Sequence, residues 1–348
     1  MEQKTIFITG GAGYVGAMLA DHFSKRNDVH KVVCLDKEPI PELLTNNAKI
    51  VWVQGNTADA GWQDAVRAYE PEVVVHTAWQ IREMYGDQKT QWHWNIDGSN
   101  AVFDFALSES SVKTFVHFSS VASYGAYAEN TIEHAFTEEE PLRKSDYLYA
   151  EEKRIAEENL LARYEAAKGK GAVLHVVVIR PAAITGPRGR NRTHFGLQTA
   201  LSGGLKGKSF LGSLVSLLVA WVPVTPTWLR QYIHEDDLID IVELVSLRES
   251  QTGYEVFNVA PPGAPVLGHD MARAVGKRTL PVKPWMVRLV FFFAWHFTLG
   301  RIPTSRGVWK GYSYPIRVDG SKITKEYGFS YRHESLEAFT SNHGRYAQ

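Results

Sequence analysis

Cysteine is nearly absent: Cys34 is the only one among 348 residues. No disulfide forms within such a chain and no cysteine metal cluster is possible, which suits a reducing, cytoplasmic setting. Net charge is also missing, because Lys+Arg and Asp+Glu both number 38. That balance removes the electrostatic case for a nucleic-acid partner. No apolar run is clean enough for a membrane span. The uncharged stretch 209–229 is interrupted by Pro223 and Pro226 and diluted by Gly212, Ser213 and Ser216, and the block 285–299 is broken by Arg288 and His296. Both are expected to be buried helix or dimer contact, with a greasy substrate wall or a peripheral membrane contact as the sharper alternatives. The chain enters a strand almost at once, so no secretory signal is expected ahead of it. Internal repeats and low-complexity tracts are lacking as well.

What is present begins with TGGAGYVG at residues 9–16. KTIFITG reads as a strand running into Gly10, Gly11, Gly13 and Gly16, and AMLADHFSK continues with helical periodicity. Glycines permit the sharp turn and let a pyrophosphate approach bare backbone at the positive end of a helix. KVVCLD then ends at Asp36, 36 − 16 = 20 residues past the last glycine. An acid there accepts from ribose hydroxyls and repels a 2′-phosphate, so the expected cofactor is NAD and not NADP.

Further strand-like runs (KIVWVQG, EVVVHTA, TFVHFSS, VLHVVVIRP) alternate with helical stretches, the pattern of a parallel sheet wrapped on both faces. The predicted fold is α/β: a Rossmann-type doubly wound parallel sheet with a smaller, interleaved C-terminal substrate lobe. Its expected boundaries are 1–180 for the core, rejoined by 230–260, with 181–229 and 261–348 forming the lobe.

YAEEK at 149–153 sets Tyr149 and Lys153 on one helical face. Alone, that spacing is commonplace. Behind a dinucleotide turn it suggests a phenol whose pKa, near 10 when free, is lowered by a neighbouring cation. Ser119 and Ser120 end the TFVHFSS strand at its carboxyl edge, where ligands bind in such sheets. A hydroxyl that holds a substrate oxygen and a tyrosine that takes its proton suit hydride chemistry at an alcohol carbon. HEDD at 234–237 runs from a strand into an apolar helix, so Asp236 or Asp237 is expected to cap that helix, and no metal is expected. His76 and His117 lie within strand runs and read as core histidines.

With these pieces in place the chain resembles an extended short-chain dehydrogenase/reductase of the NAD-dependent epimerase/dehydratase family. The resemblance rests on TGGAGYVG, Asp36, VVVHTA at 73–78, NIDGSNAV at 95–102, FSSVASYG at 118–125, YAEEK, RPAAITGP at 180–187 and RQYIHEDDL at 230–238. It implies Ser120, Tyr149 and Lys153 as the catalytic trio, with Asn95 supporting the proton relay. It implies Gly10, Gly13, Tyr14, Val15, Gly16, Asp36, Ala78, Tyr149, Lys153 and Pro181 around the cofactor, and a homodimer joined through the tyrosine helix. Where 4,6-dehydratases carry Thr-Asp-Glu, this chain has Ser120, Val121 and Ala122, which argues against dehydration. Ala183 also replaces an asparagine frequent in nucleotide-sugar enzymes. Those departures and the apolar blocks favour a bulky hydrophobic, sterol-like small-molecule substrate, as in 3β-hydroxysteroid dehydrogenase-like relatives. Arg230, matching an arginine that contacts a sugar nucleotide's phosphate, supports a UDP-hexose 4-epimerase as the alternative. A non-catalytic NAD-sensing regulator is the alternative of another class.

Overall fold

The computed structural model describes residues 3–171, 173–192, 221–248 and 252–347. The first part of the uncharged stretch, 209–220, lies outside the described residues. Two compact units emerge: Met1–Ser119 with Glu152–Arg180 and Ile239–Phe257, and Ser120–Glu151 with Pro181–Leu238 and Asn258–Gln348.

Unit 1 is organised by the sheet. β1 (Lys4–Thr9) leads through α1 (Tyr14–Ser24) to β2 (Val29–Asp36) and β3 (Ile50–Gln54). α2 (Trp62–Arg67), β4 (Val73–His76), α3 (Gln88–Trp92), α4 (Gly98–Ser108), β5 (Thr114–Phe118), α5 (Leu148–Lys168) and β6 (His175–Pro181) follow, with β7 (Ala183–Thr185) just beyond. The seven-stranded order is β3-β2-β1-β4-β5-β6-β11, where β11 is Gly253–Val259. All pairings from β3 through β6 are parallel. β1 pairs with β2 on one side and β4 on the other, so the winding direction reverses beside Thr9, where doubly wound sheets open a ligand crevice. The strands are apolar on both faces because helices cover both: Ile6, Phe7 and Ile8 are wholly buried. Phe7 meets Trp62 and Phe105 at centroid separations of 5.6 and 5.8 Å, and burial of such rings is the main stabilising term of this layer.

Unit 2 contains short paired strands instead of one sheet. α6 (Pro187–Arg192) follows β7, which pairs in parallel with β10 (Tyr232–His234). β9 (Leu229–Arg230) pairs antiparallel with β12 (Val266–Leu267), and β8 (Trp221–Val224) in parallel with β13 (Arg278–Pro281). Val222, Trp228, Tyr232, Met271 and Phe339 form a core there, so Val222 and Trp228 of the charge-free stretch serve packing while Trp221 is exposed. α7 (Glu235–Leu247) already includes Asp236 and Asp237 in its first turn, so neither stands ahead of the helix as its cap. The two acids instead accept from the backbone: Asp236 from Arg345 N and Asp237 from Arg332 N, which ties down the C-terminal segment. The remaining helices used below are α8 (Gly268–Ala274), α9 (Pro284–Phe297) and α10 (Val308–Gly311).

Candidate functional site

In unit 1 the glycine-rich turn has the geometry of a phosphate cradle. Gly10 adopts φ +76°, the left-handed region, and a Cβ there would stand 2.7 Å from Ala78 N. At Gly16 a Cβ would overlap the Gly10 carbonyl, which already accepts from Gly13 N at 2.9 Å. Gly13 caps α1 without a side chain, and no acid lies in the helix's first turn. Tyr14 and Val15 begin that helix, and all these features favour an anion at its positive end. Asp36 ends β2 with Oδ2 accepting from Ala12 N at 2.9 Å and Oδ1 from Glu38 N at 2.9 Å. A carboxylate so fixed beside the turn suits a ribose diol. These residues therefore fit the dinucleotide read from the sequence.

Behind the turn lies a buried polar chain. His76 Nδ1 meets Thr9 Oγ1 at 2.7 Å, and Nε2 meets Ser99 Oγ at 2.9 Å. Ser99 in turn donates to the Asn95 carbonyl. Asn95 sits in a π-helical turn, His93–Asp97, between α3 and α4. Such a turn widens the helix and re-aims one side chain. Here the Asn95 amide accepts from Gln80 N at 2.7 Å and donates to Glu152 Oε2 at 2.7 Å. Gln91 Nε2 donates to the same carboxylate oxygen at 3.1 Å.

Glu152 was not singled out from the sequence, although its spacing from Tyr149 is a helical i, i+3. It is fully buried, its Oε1 has no hydrogen-bond partner among the described residues, and burial pushes its carboxyl above the usual range against the pull of Asn95, Gln91 and Lys153. Lys153 follows at 4% exposure, donating from Nζ to the Phe118 carbonyl at 2.5 Å and lying 3.4 Å over the Trp79 ring. Burial holds this lysine well below its ordinary value, and Glu152 and Glu157 only partly restore it. Trp79, also missed, replaces water over the ammonium with an aromatic face.

In unit 2, Ser120 follows β5, and its Oγ accepts from Ala122 N at 3.1 Å. Tyr149, in the first turn of α5, is half-buried. Burial raises the phenol's pKa, and the hydrogen bond with Ser120 opposes that rise. The expected lowering by Lys153 is therefore not the governing influence. The lysine's own charge is disfavoured by desolvation and its ammonium is spent on Phe118 and Trp79. Ser120 and Tyr149 are thus brought together, as are Asn95, Glu152 and Lys153 through side-chain contact or sequence adjacency. Tyr149 and Lys153 stand one turn apart on α5. Pro181 closes β6 and is buried. Arg230 lies 5.0 Å over the Tyr312 ring, and its Nε has no hydrogen-bond partner among the described residues.

His76 and His117 are both buried in unit 1 and stacked at 5.5 Å. Burial and then Lys153 hold His76 at about 3, and His117 is likewise driven well below its ordinary value. Below pH 6.5 the unfolded chain protonates these rings and the folded chain does not. Stability present above 6.5 therefore drains away as pH falls towards 3, by up to about 5 kcal/mol for His76. His76→Gln should flatten the acid limb of a denaturation series recorded against pH; an unchanged limb would show that His76 is not its source.

Among the described residues, His22, Asp240 and Glu243 bring ligand-type atoms within 4.8 Å of one another. Arg26 already pairs with Glu243 at 2.5 Å, which opposes a cation there.

Residues 6–260 match the NAD dependent epimerase/dehydratase family. Sterol-4-alpha-carboxylate 3-dehydrogenase, decarboxylating, of Candida albicans is 28% identical over 194 residues, 54% of this chain and 52% of that protein. The chain thus aligns with about half the length of that curated relative. Among solved structures, the Bordetella bronchiseptica enzyme WbmG in complex with NAD and UDP superposes with a TM-score of 0.71 at 22% identity, covering 97% of this chain and 92% of that one. UDP-glucose-4-epimerase from Stenotrophomonas maltophila, with bound NAD and formylated UDP-arabinopyranose, gives 0.70 at 20% identity over 97% and 96%. At these identities the likeness speaks for the fold alone. The sheet order, the glycine cradle with Asp36 and the match over residues 6–260 agree, and the chain belongs to the NAD-dependent epimerase/dehydratase family of enzymes.

Proposed function

We propose that the protein is an oxidoreductase that interconverts a secondary alcohol and its ketone, with Tyr149 as the acid–base group. The observation that carries this reading is the Tyr149 phenol hydrogen-bonded with Ser120, one helical turn from a desolvated Lys153. Ser120 holds the substrate oxygen, and Tyr149 takes its proton on oxidation and returns it on reduction. Lys153, kept low by burial, passes that proton onward, and the Asn95–Glu152 pair positions the helix that carries it. Gly10, Gly13, Tyr14, Val15 and Gly16 hold the pyrophosphate of NAD, Asp36 the ribose hydroxyls, and Ala78, Tyr149, Lys153 and Pro181 the nicotinamide end. When bound, the oxidised nicotinamide supplies the hydride acceptor and a positive charge that favours phenolate. Unit 2 is the substrate lobe in this reading, which redraws the boundary to give it residues 120–151.

NAD is preferred to NADP because Asp36 accepts from hydroxyls and repels a phosphate. Asp36→Ala should weaken NAD binding about tenfold, the loss of a charge-assisted hydrogen bond, and narrow the NAD/NADP preference. Calorimetric titration of both cofactors checks this, and an unchanged ratio would remove Asp36 from the ribose site.

A bulky apolar, sterol-like alcohol is the proposed substrate. It is supported by the sterol relative and by Val121 and Ala122, which offer no acid after Ser120. A second reading, 4-epimerisation of a nucleotide sugar, is favoured by Arg230, whose Nε has no partner among the described residues and suits a phosphate. Incubation with NAD and a panel of 3β-hydroxysteroids and UDP-hexoses separates the two. Reduced nicotinamide appearing with a steroid supports the first, whereas an epimerised UDP-hexose without net reduction supports the second. No turnover of either class would defeat both.

A further inference from the structure

The long apolar block near the C-terminus is not buried. α9 spans 14 residues, and only Val287 and Trp295 are buried. Its inner side is held by the Phe291–Tyr312 ring contact at 5.3 Å and by Thr304 Oγ1 donating to the Phe291 carbonyl at 3.0 Å. On the outer side, Trp285, Leu289, Val290, Phe292, Phe293 and Phe297 are exposed, with Phe297 at 83%, Val290 at 63% and Trp285 at 61%. At 3.6 residues per turn these positions fall on one continuous arc of about 160°. Leu299 and Ile302 prolong the patch beyond the helix. Scattered exposed apolar residues are ordinary, but a helix-long stripe marks a contact surface.

The surrounding charge identifies what it contacts. Residues 271–318 contain nine Lys and Arg and no Asp or Glu, in a chain whose total charge is zero. Lys283, Arg288, Arg301 and Arg306 are exposed. None of those four pairs with an acid among the described residues: Arg288 instead lies 5.8 Å over Trp309. An aromatic-rich apolar stripe flanked by unneutralised cations matches an anionic bilayer surface, with rings in the acyl boundary and cations among the headgroups. A second copy of the chain matches poorly, since apposed stripes would bring the two cationic collars together. Crossing the bilayer is not an option for this helix: among the described residues no helix is long and apolar enough. At about 1.5 Å per residue, α9 is also shorter than a hydrocarbon core of about 30 Å.

We infer that α9 is an interfacial anchor that seats the protein in the plane of an anionic membrane, through the Trp285–Phe297 stripe and the cations beside it. The anchor belongs to unit 2 and is independent of which alcohol the enzyme uses.

Co-sedimentation with phosphatidylcholine vesicles, with and without phosphatidylserine, tests this on the full chain. The protein should pellet with the anionic vesicles and be released by salt. The variant Trp285→Ser/Phe293→Ser/Phe297→Ser should bind at least about tenfold more weakly. Its altered residues are exposed, so its melting temperature should be maintained. Lys283→Glu/Arg301→Glu, whose fold is equally untouched, should lose roughly tenfold on anionic vesicles and nothing on neutral ones. Protein that stays in the supernatant with both vesicle types overturns the inference. So does binding that the triple variant leaves unchanged. A dimer in sedimentation equilibrium that the triple variant dissociates, without vesicle binding, also overturns it and assigns the stripe to a second copy.

Discussion

Tyr149→Phe is expected to lower kcat by about 10²–10⁴, the usual worth of a positioned acid–base group, while leaving NAD affinity within a few-fold of the parent. The substitution removes one oxygen and keeps the ring, so packing at the start of α5 is retained. What is lost is the hydroxyl held against Ser120. Because burial raises the phenol, activity in the oxidising direction should climb with pH through the region where Tyr149 ionises, and the variant's residual rate should lack that limb. Steady-state rates over pH, with cofactor binding titrated in parallel, check both features. A variant with unchanged turnover would remove Tyr149 from the chemistry. A parent chain that binds NAD, turns nothing over, and behaves identically as Tyr149→Phe would instead be a cofactor-sensing regulator.

Gly16→Ala is expected to abolish cofactor binding, by about a hundredfold or more, and to destabilise unit 1 by about 2–4 kcal/mol. One methyl group does this because of where it points. The added carbon would overlap the Gly10 carbonyl, and Gly10 has little freedom to yield. Its φ of +76° is already left-handed, its own Cβ direction faces Ala78 N at 2.7 Å, and its carbonyl accepts from Gly13. Relief requires α1 to move away from the turn, which separates the helix amides from the pyrophosphate they are placed to meet. Isothermal titration with NAD, done well below the melting point found by calorimetry, separates lost binding from lost folding. Tight NAD binding by a folded Gly16→Ala protein would disprove the cradle as drawn.

Much of this site is legible in the order of the residues. The strands of unit 1 are short apolar runs because both faces of a parallel sheet are covered, and runs of that kind can be read without knowing their neighbours. The glycine turn is likewise local: left-handed φ at Gly10 and close approach at Gly16 are demands that few other residues meet. The acid at Asp36 and the helical spacing of Tyr149 and Lys153 follow from counting.

Protonation and exposure are not local in this sense. Glu152 is a charged helix residue in sequence, ordinarily solvated. It is buried because α5 turns that face toward Gln91 on α3 and Asn95 in the π-helical turn that follows. Lys153 was expected to lower the tyrosine, but the backbone of β5 and the Trp79 ring draw its ammonium elsewhere. Asp236 and Asp237 read as caps, yet they bind amides about a hundred residues away. The same holds for α9, whose composition is that of a core helix. Periodicity and turn chemistry act over a few residues, so the order of amino acids by itself determined the Rossmann sheet, the cofactor turn and the Tyr149–Lys153 pair. Dielectric environment and the covering of a helix face depend on distant segments packing against them. For that reason tertiary structure alone decided the buried Glu152, the raised tyrosine and the exposed aromatic stripe.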